Sequence, residues 1–221
     1  MFTLRQPSIP VVDGRRFPVR RIFCIGKNYA DHAIEMGSDP KSEPPVFFTK
    51  PADAACSARE IPFPLATEDL HYEAELVVGL GAGGTALSDK EAAAAIVGYA
   101  CGCDLTRRDL QAEAKERRAP WDLAKAFDDS AMVGKLMPRN DVLTAGSIEL
   151  KLNGEVRQSA DISDMIWSIP EVLSRLSRYF ELRPGDLVYT GTPAGVGALQ
   201  PEDKVEVAIA DLPPLRFTLL E

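Results

Sequence analysis

From residue 71 to residue 79 hydrophobic and polar positions alternate as they do on a β-strand. Tyr72, Ala74, Leu76 and Val78 take one face, and Glu73 and Glu75 take the other. Residues two apart on a strand project from the same side about 7 Å apart, so the two carboxylates share a face. Two readings stand at this point. The acids form the solvated side of a strand backed onto a core, or they are buried and their repulsion demands a proton or a cation between them. Oxygen ligands of this kind suit a hard divalent ion.

The same pattern predicts the elements on either side. Prolines and a Val12-Asp13-Gly14-Arg15 turn mark a short hairpin in residues 1–20, and residues 21–25 form an apolar strand ending at Gly26. A helical turn follows over 27–37, then a polar, proline-containing loop over 38–45 that can close over a site. A strand over 46–49 delivers Lys50. Ser88 is placed to cap a helix over 89–97, and 96–103 carries the chain back into the core. Thr106 and Asp109 have capping-box spacing for a next helix, which leaves Asp104 free. Residues 119–127 are read as an amphiphilic loop around Lys125. Asn153-Gly154 between alternating residues predicts a hairpin. Ser168 and Pro170 open a helix whose apolar period runs from Ile169 to Phe180, and a strand over 187–190 leads into a glycine-rich turn at 191–197. A hairpin over 205–209 and 215–220 closes the chain.

Composition narrows the function classes. At 221 residues and 45% hydrophobic the chain suits one domain with a substantial core. A net charge of −8 with no basic stripe argues against a nucleic-acid partner. The longest small-apolar run, 92–103, is too short for a bilayer that needs about 20 residues. No basic and apolar leader opens the chain, so a cytoplasmic protein without membrane association is expected. Cys24, Cys56, Cys101 and Cys103 read as buried free thiols rather than a disulfide or zinc framework.

Several side chains then stand out as candidate chemistry, each with an ordinary alternative. His32 and Glu35 lie one helical turn apart, which makes a base with its orienting carboxylate, or a surface pair on a short helix. Asp104, at the exit of a buried segment, is a third candidate metal ligand or a turn aspartate. Lys50 and Lys125 meet an anion, or lay their stems on apolar surface with the ammonium in water. The turn at 191–197 lacks both nucleotide fingerprints; its N–H groups and the Thr192 hydroxyl suit a small carboxylate.

Taken in order, Gly26-Lys27-Asn28-Tyr29-Ala30-Asp31-His32, Glu73-Ala74-Glu75, the 104–111 segment, Lys125 and Thr190 to Gly197 resemble the fumarylacetoacetate hydrolase family, in its short single-domain branch. The resemblance covers about residue 18 to the end, leaving 1–17 as a short extension before a catalytic domain at 18–221. It implies a β-rich α+β fold, a mixed β-sandwich roll, in a homodimer. It implies that Glu73, Glu75 and Asp104 hold Mg²⁺ or Mn²⁺, with Ca²⁺ a further candidate. It makes His32 and Glu35 the water-activating pair, puts Lys125 and Gln111 in the cavity, and puts Lys50, Arg108 and Thr192 near the substrate or behind it. The animal fumarylacetoacetate hydrolase carries an aspartate shortly before its histidine; Cys24-Ile25-Gly26 offers none here. The expected activity is C–C bond cleavage in a small anionic 2-oxo acid through a metal-stabilised enolate. Acylpyruvate or fumarylpyruvate hydrolysis and oxaloacetate decarboxylation both fit, with Lys125 steadying an oxyanion. Isomerisation or decarboxylation of a 2-hydroxymuconate-type acid is the alternative, and a metal-binding module without catalysis is a third.

Overall fold

The computed structural model describes residues 1, 3, 6–35 and 44–221. Its fold is β-rich α+β, built on two mixed sheets that face each other. The larger, eight-stranded sheet runs in the order Val46–Lys50, Arg21–Gly26, Asp186–Tyr189, Ala74–Leu80, Ile96–Asp104, Ala131–Val133, Ala55–Cys56, with Met137–Pro138 also on Ile96–Asp104. A five-stranded sheet follows the order Glu155–Asp161, Ser147–Leu152, Lys204–Ile209, Leu215–Leu220, Glu60–Pro62. A small sheet of Thr106–Arg107, Leu70–Tyr72 and Gly197–Ala198 bridges one end.

Leu76, Val78, Cys101 and Cys103 of the large sheet meet Ile148, Leu150, Val207 and Phe217 of the five-stranded sheet in the main core. Its opposite face is covered too. Val77, Ala100, Tyr189 and Cys24 pack there with Ile9 and Val11 from the N-terminal hairpin Ser8–Pro10/Arg16–Pro18, so this hairpin contributes to the core. The strand carrying Glu75 is thus buried along its whole length, and its acid-bearing face is not the solvated side of an amphipathic strand.

The local signals account for most turns and caps. Asn153 and Gly154 both take positive φ, 53° and 87°, as the predicted two-residue hairpin requires. Helix α1 spans Ala30–Glu35 and α2 spans Asp89–Ala94, the latter opened by a Ser88/Glu91 capping box. Four expectations differ. Helix α2 stops before 97 because Ile96 already starts a core strand. Helix α3 (Arg108–Arg117) has no Thr106/Asp109 capping box: Asp109 accepts instead from Thr67 Oγ1 and Glu68 N, while Thr106 pairs in the small sheet. Residues 122–125 form a helical turn, α4 (Asp122–Lys125), rather than a loop, and they bury Lys125. The last helix, α5 (Ile169–Leu176), ends before Phe180. Residues 38–43 of the expected closing loop lie outside the described residues. Among the described residues, no helix is long and apolar enough to cross a membrane.

Candidate active site

The segment from 70 to 80 is not one continuous strand. Leu70–Tyr72 pairs in the small sheet and Ala74–Leu80 in the large one, and Glu73 stands at the switch between them. The neighbouring strand registers Ala74 opposite Cys103, and Asp104 N donates to Glu73 O at 2.8 Å. Asp104 is therefore the cross-strand neighbour of Glu73, within the range at which paired side chains interact. One carboxylate oxygen from each of Glu73, Glu75 and Asp104 lies within 4.8 Å of the others, and the three residues are only 5%, 2% and 0% exposed.

Basic side chains balance two of these acids. Lys125 Nζ donates to Glu73 Oε2 (2.7 Å), Asp104 Oδ2 (2.9 Å) and Thr106 Oγ1 (2.6 Å). An ammonium has three N–H donors, and here protein oxygens engage all three. Lys125 thus holds two acids together from a position on the cleft lining. Lys50 was expected near the substrate or behind it. Its ammonium is buried behind Asp104, 2.8 Å from Oδ1, and donates to the carbonyls of Leu105 and Lys125. Arg108 spends its donors on Glu73 Oε1 (2.5 Å), Gln111 Oε1 (2.6 Å) and His71 Nδ1 (3.4 Å).

Glu75 differs from both other acids. It makes no ion pair among the described residues and accepts only from Gly191 N, at 2.7 Å. Gly191 has φ +94°, and a Cβ there would lie 2.8 Å from the Asn28 side chain, so this donor requires glycine. Electrostatics divides the pair accordingly. Burial pushes the Glu73 carboxyl up, but Lys125 and Arg108 outweigh it and hold the group well below the ordinary carboxylate range. At Glu75, burial and then the charges of Asp104 and Glu73 push the carboxyl well above that range. A divalent cation among the three oxygens would relieve that repulsion, and an all-oxygen donor set is the kind Mg²⁺ and Mn²⁺ prefer. Asp104, by contrast, is balanced at both oxygens, Oδ1 by Lys50 at 2.8 Å and Oδ2 by Lys125 at 2.9 Å. The residues fit a hard divalent metal.

His32 lies on the same cleft. Its Nδ1 is 3.0 Å from Glu35 Oε2, and Glu35 Oε1 accepts from Gly195 N at 3.2 Å. A carboxylate only accepts, so Nδ1 carries the proton, and in the neutral ring the lone pair is then on Nε2. The cleft brings Glu73, Glu75, His32, Arg108, Gln111, Lys125 and Thr192 together, with Lys27, Phe48, Lys115 and Trp121 completing its wall. Of the predicted site residues, Lys50, Asp104 and Glu35 stand outside that lining, Asp104 fully buried beside Glu73 and Glu35 reaching the cleft through His32. A larger groove of about 970 Å³, edged by Arg59, Lys135, Lys151 and Arg216, shares no residue with it.

Two supports were not anticipated from the sequence. Gln158, fully buried, accepts from Ala74 N (2.9 Å) and donates to Thr192 Oγ1 and Pro193 O (both 2.8 Å). It ties the residue between the two glutamates to the glycine-rich turn. The available hint was a glutamine on the apolar side of a predicted strand. His71 bridges Asp69 Oδ1 (Nε2, 2.9 Å) and the Arg108 guanidinium, extending a polar chain from the surface to Glu73. Burial and Arg108 lower its pKa, consistent with a neutral ring that donates from Nε2 and accepts at Nδ1.

A family profile described as the C-terminal domain of fumarylacetoacetate hydrolase matches residues 21–220. The chain belongs to the fumarylacetoacetate hydrolase family. Within that family it is 41% identical, over 90% of both chains, to the mitochondrial oxaloacetate tautomerase of Rattus norvegicus. It is 37% identical to a fumarylpyruvate hydrolase of a Ralstonia species, over 82% of this chain and 95% of that one. The crystal structure of fumarylpyruvate hydrolase from Pseudomonas aeruginosa, in complex with Mn²⁺ and pyruvate, is 45% identical. It covers 100% of this chain and 98% of its own, with a TM-score of 0.97. The two mixed sheets and the acidic cleft therefore belong to a short, single-domain member of the family.

Proposed function

We propose that this chain is a divalent-metal-dependent enzyme that cleaves C–C bonds of small 2-oxo acids, with acylpyruvates of the fumarylpyruvate type as substrates. The observation that carries the reading is the buried Glu73–Glu75–Asp104 cluster, whose two glutamates line the same cleft as His32, itself held by Glu35. The three acids hold Mg²⁺ or Mn²⁺. When bound, the ion supplies positive charge for the 2-oxo acid end of the substrate and for the negative charge that develops there.

The chain's own residues do the rest. Glu35 fixes the His32 ring, and His32 Nε2 takes a proton from water as the water oxygen bonds to the distal carbonyl carbon. The tetrahedral centre collapses and the C–C bond breaks, its electron pair passing to the departing pyruvate fragment. His32 then returns its proton to that carbon, so one water is consumed and a carboxylic acid and pyruvate are released. Lys125, Lys50 and Arg108 keep the acids placed while Thr192 and Gln111 border the substrate.

A second reading is favoured by the tautomerase relatives. Keto–enol exchange of oxaloacetate needs only the proton step at His32 and no attacking water, so one site can serve both reactions. A homodimer, in a cytoplasmic setting, completes the proposal. The test is a panel of acylpyruvates, oxaloacetate and muconate-type acids assayed with Mg²⁺, Mn²⁺ and chelator, in wild type and His32→Ala. The variant should lose hydrolysis while still binding Mn²⁺ by calorimetry. Full hydrolysis by the variant would remove His32 from the mechanism, and no metal-dependent turnover of any acid by wild type would remove the reading itself.

A further inference from the structure

Helix α3 sets Arg108, Gln111 and Lys115 at i, i+3 and i+7, so one helical face follows the cleft outwards from the acids. Seven residues of helix advance about 10 Å. Arg108 and Gln111, at the inner end, are occupied with Glu73 and with each other. Lys115, at the outer end, makes no ion pair among the described residues. Its ammonium stands 5.6 Å from the centre of the Trp121 ring, and Phe48 packs edge-on against that ring at 5.8 Å. An aromatic brace therefore fixes this cation at the rim. Lys115 is exposed at the cleft mouth, where partial burial of its ammonium and then the neighbouring charges of Arg108 and Lys27 disfavour its charged form, and an incoming anion would favour it.

We propose that Lys115, braced by Trp121, recognises a second carboxylate at the far end of an extended 2-oxo diacid. The assignment rests on the reading of the acidic cluster as the seat of the 2-oxo acid end. A four-carbon diacid held there keeps both carboxylates near the inner end. A diacid with a longer acyl chain places its far carboxylate at the rim, where Lys115 donates to it. Substrate length and terminal charge are then measured by one helix, with Arg108 marking the inner end and Lys115 the outer one.

The experiment compares wild type with Lys115→Met and Lys115→Arg on two acylpyruvates of equal length, one ending in a carboxylate and one in a methyl group. In Lys115→Met the ratio of kcat/KM for the charged over the uncharged substrate should fall about tenfold, through KM, and Lys115→Arg should restore most of it. An unchanged ratio, including an equal loss on both substrates, would overturn the assignment. In parallel, calorimetry measures binding of a non-reacting long dicarboxylate and its monocarboxylate analogue to the Mn²⁺-loaded protein. This arm reports on Lys115 even if wild type turns over neither acylpyruvate, an outcome that would sink the proposed function separately. Equal loss or equal retention of the two ligands in Lys115→Met would overturn the assignment there too.

Discussion

Replacing Gln158 by leucine probes support of the site, because the side chain is fully buried behind the cleft and reaches it only through Ala74 N and Thr192. The fully buried amide makes three hydrogen bonds, two of them to the backbone groups Ala74 N and Pro193 O. Leucine fills a similar volume but leaves both groups without a partner, at about 2 kcal/mol each. Added apolar burial offsets about 1.5 kcal/mol, for a net loss of about 2–3 kcal/mol. For a chain of this size that lowers Tm by about 4–12 °C. Ala74 lies between Glu73 and Glu75, so releasing its N–H also loosens both acids, and a support of this kind is worth about 10–100-fold in metal affinity. Thermal unfolding in chelator gives the first quantity and calorimetric Mn²⁺ titration the second. A Gln158→Leu protein with wild-type Tm would refute the hydrogen-bond argument. A lowered Tm with wild-type Mn²⁺ affinity would refute the positioning argument alone.

Lys125→Met should give effects of opposite sign. Removing the cation from its buried contacts with Glu73 and Asp104 costs about 3–5 kcal/mol in chelator, yet Mn²⁺ should bind about tenfold tighter because the competing charge is gone; weaker Mn²⁺ binding would contradict this. The four buried thiols should resist a disulfide reagent at pH 8 and all react after denaturation, since burial pushes Cys56 and Cys101 each up to about 11 and the thiolate is the reactive form. The sign for stability follows: above their ordinary value near 9.0 the unfolded chain loses these protons first, so their contribution falls as pH rises from about 9 towards 11, and a cysteine-to-alanine variant at either site should flatten that decline.

The legible parts of this protein are those governed by short-range rules. Ser88 capping α2, the left-handed Asn153-Gly154 turn and the one-turn spacing of His32 and Glu35 each depend on residues within four positions of one another. Alternation likewise put Glu73 and Glu75 on one side. It said nothing of whether that side was wet, because burial of the strand Ala74–Leu80 comes from Tyr189, Ala100 and the N-terminal hairpin, all distant in the chain. The capping box at Thr106 and Asp109 failed for the same reason. Both side chains found tertiary partners, Lys125 for the first and Thr67 for the second, that compete with the local cap.

By itself the sequence determined which residue types the site draws on, the order of its elements and the family to which the chain belongs. Periodicity, turn chemistry and ordered motifs are properties of neighbouring positions. Only the tertiary structure decided that Asp104 faces Glu73, that Gly191 N–H meets Glu75, that Lys50 and Lys125 brace the acids, and that Gln158 holds Ala74. Each of these depends on the pairing register of strands far apart in the chain. That register is chosen by the fit of two sheets around a shared core, which no local window of residues contains.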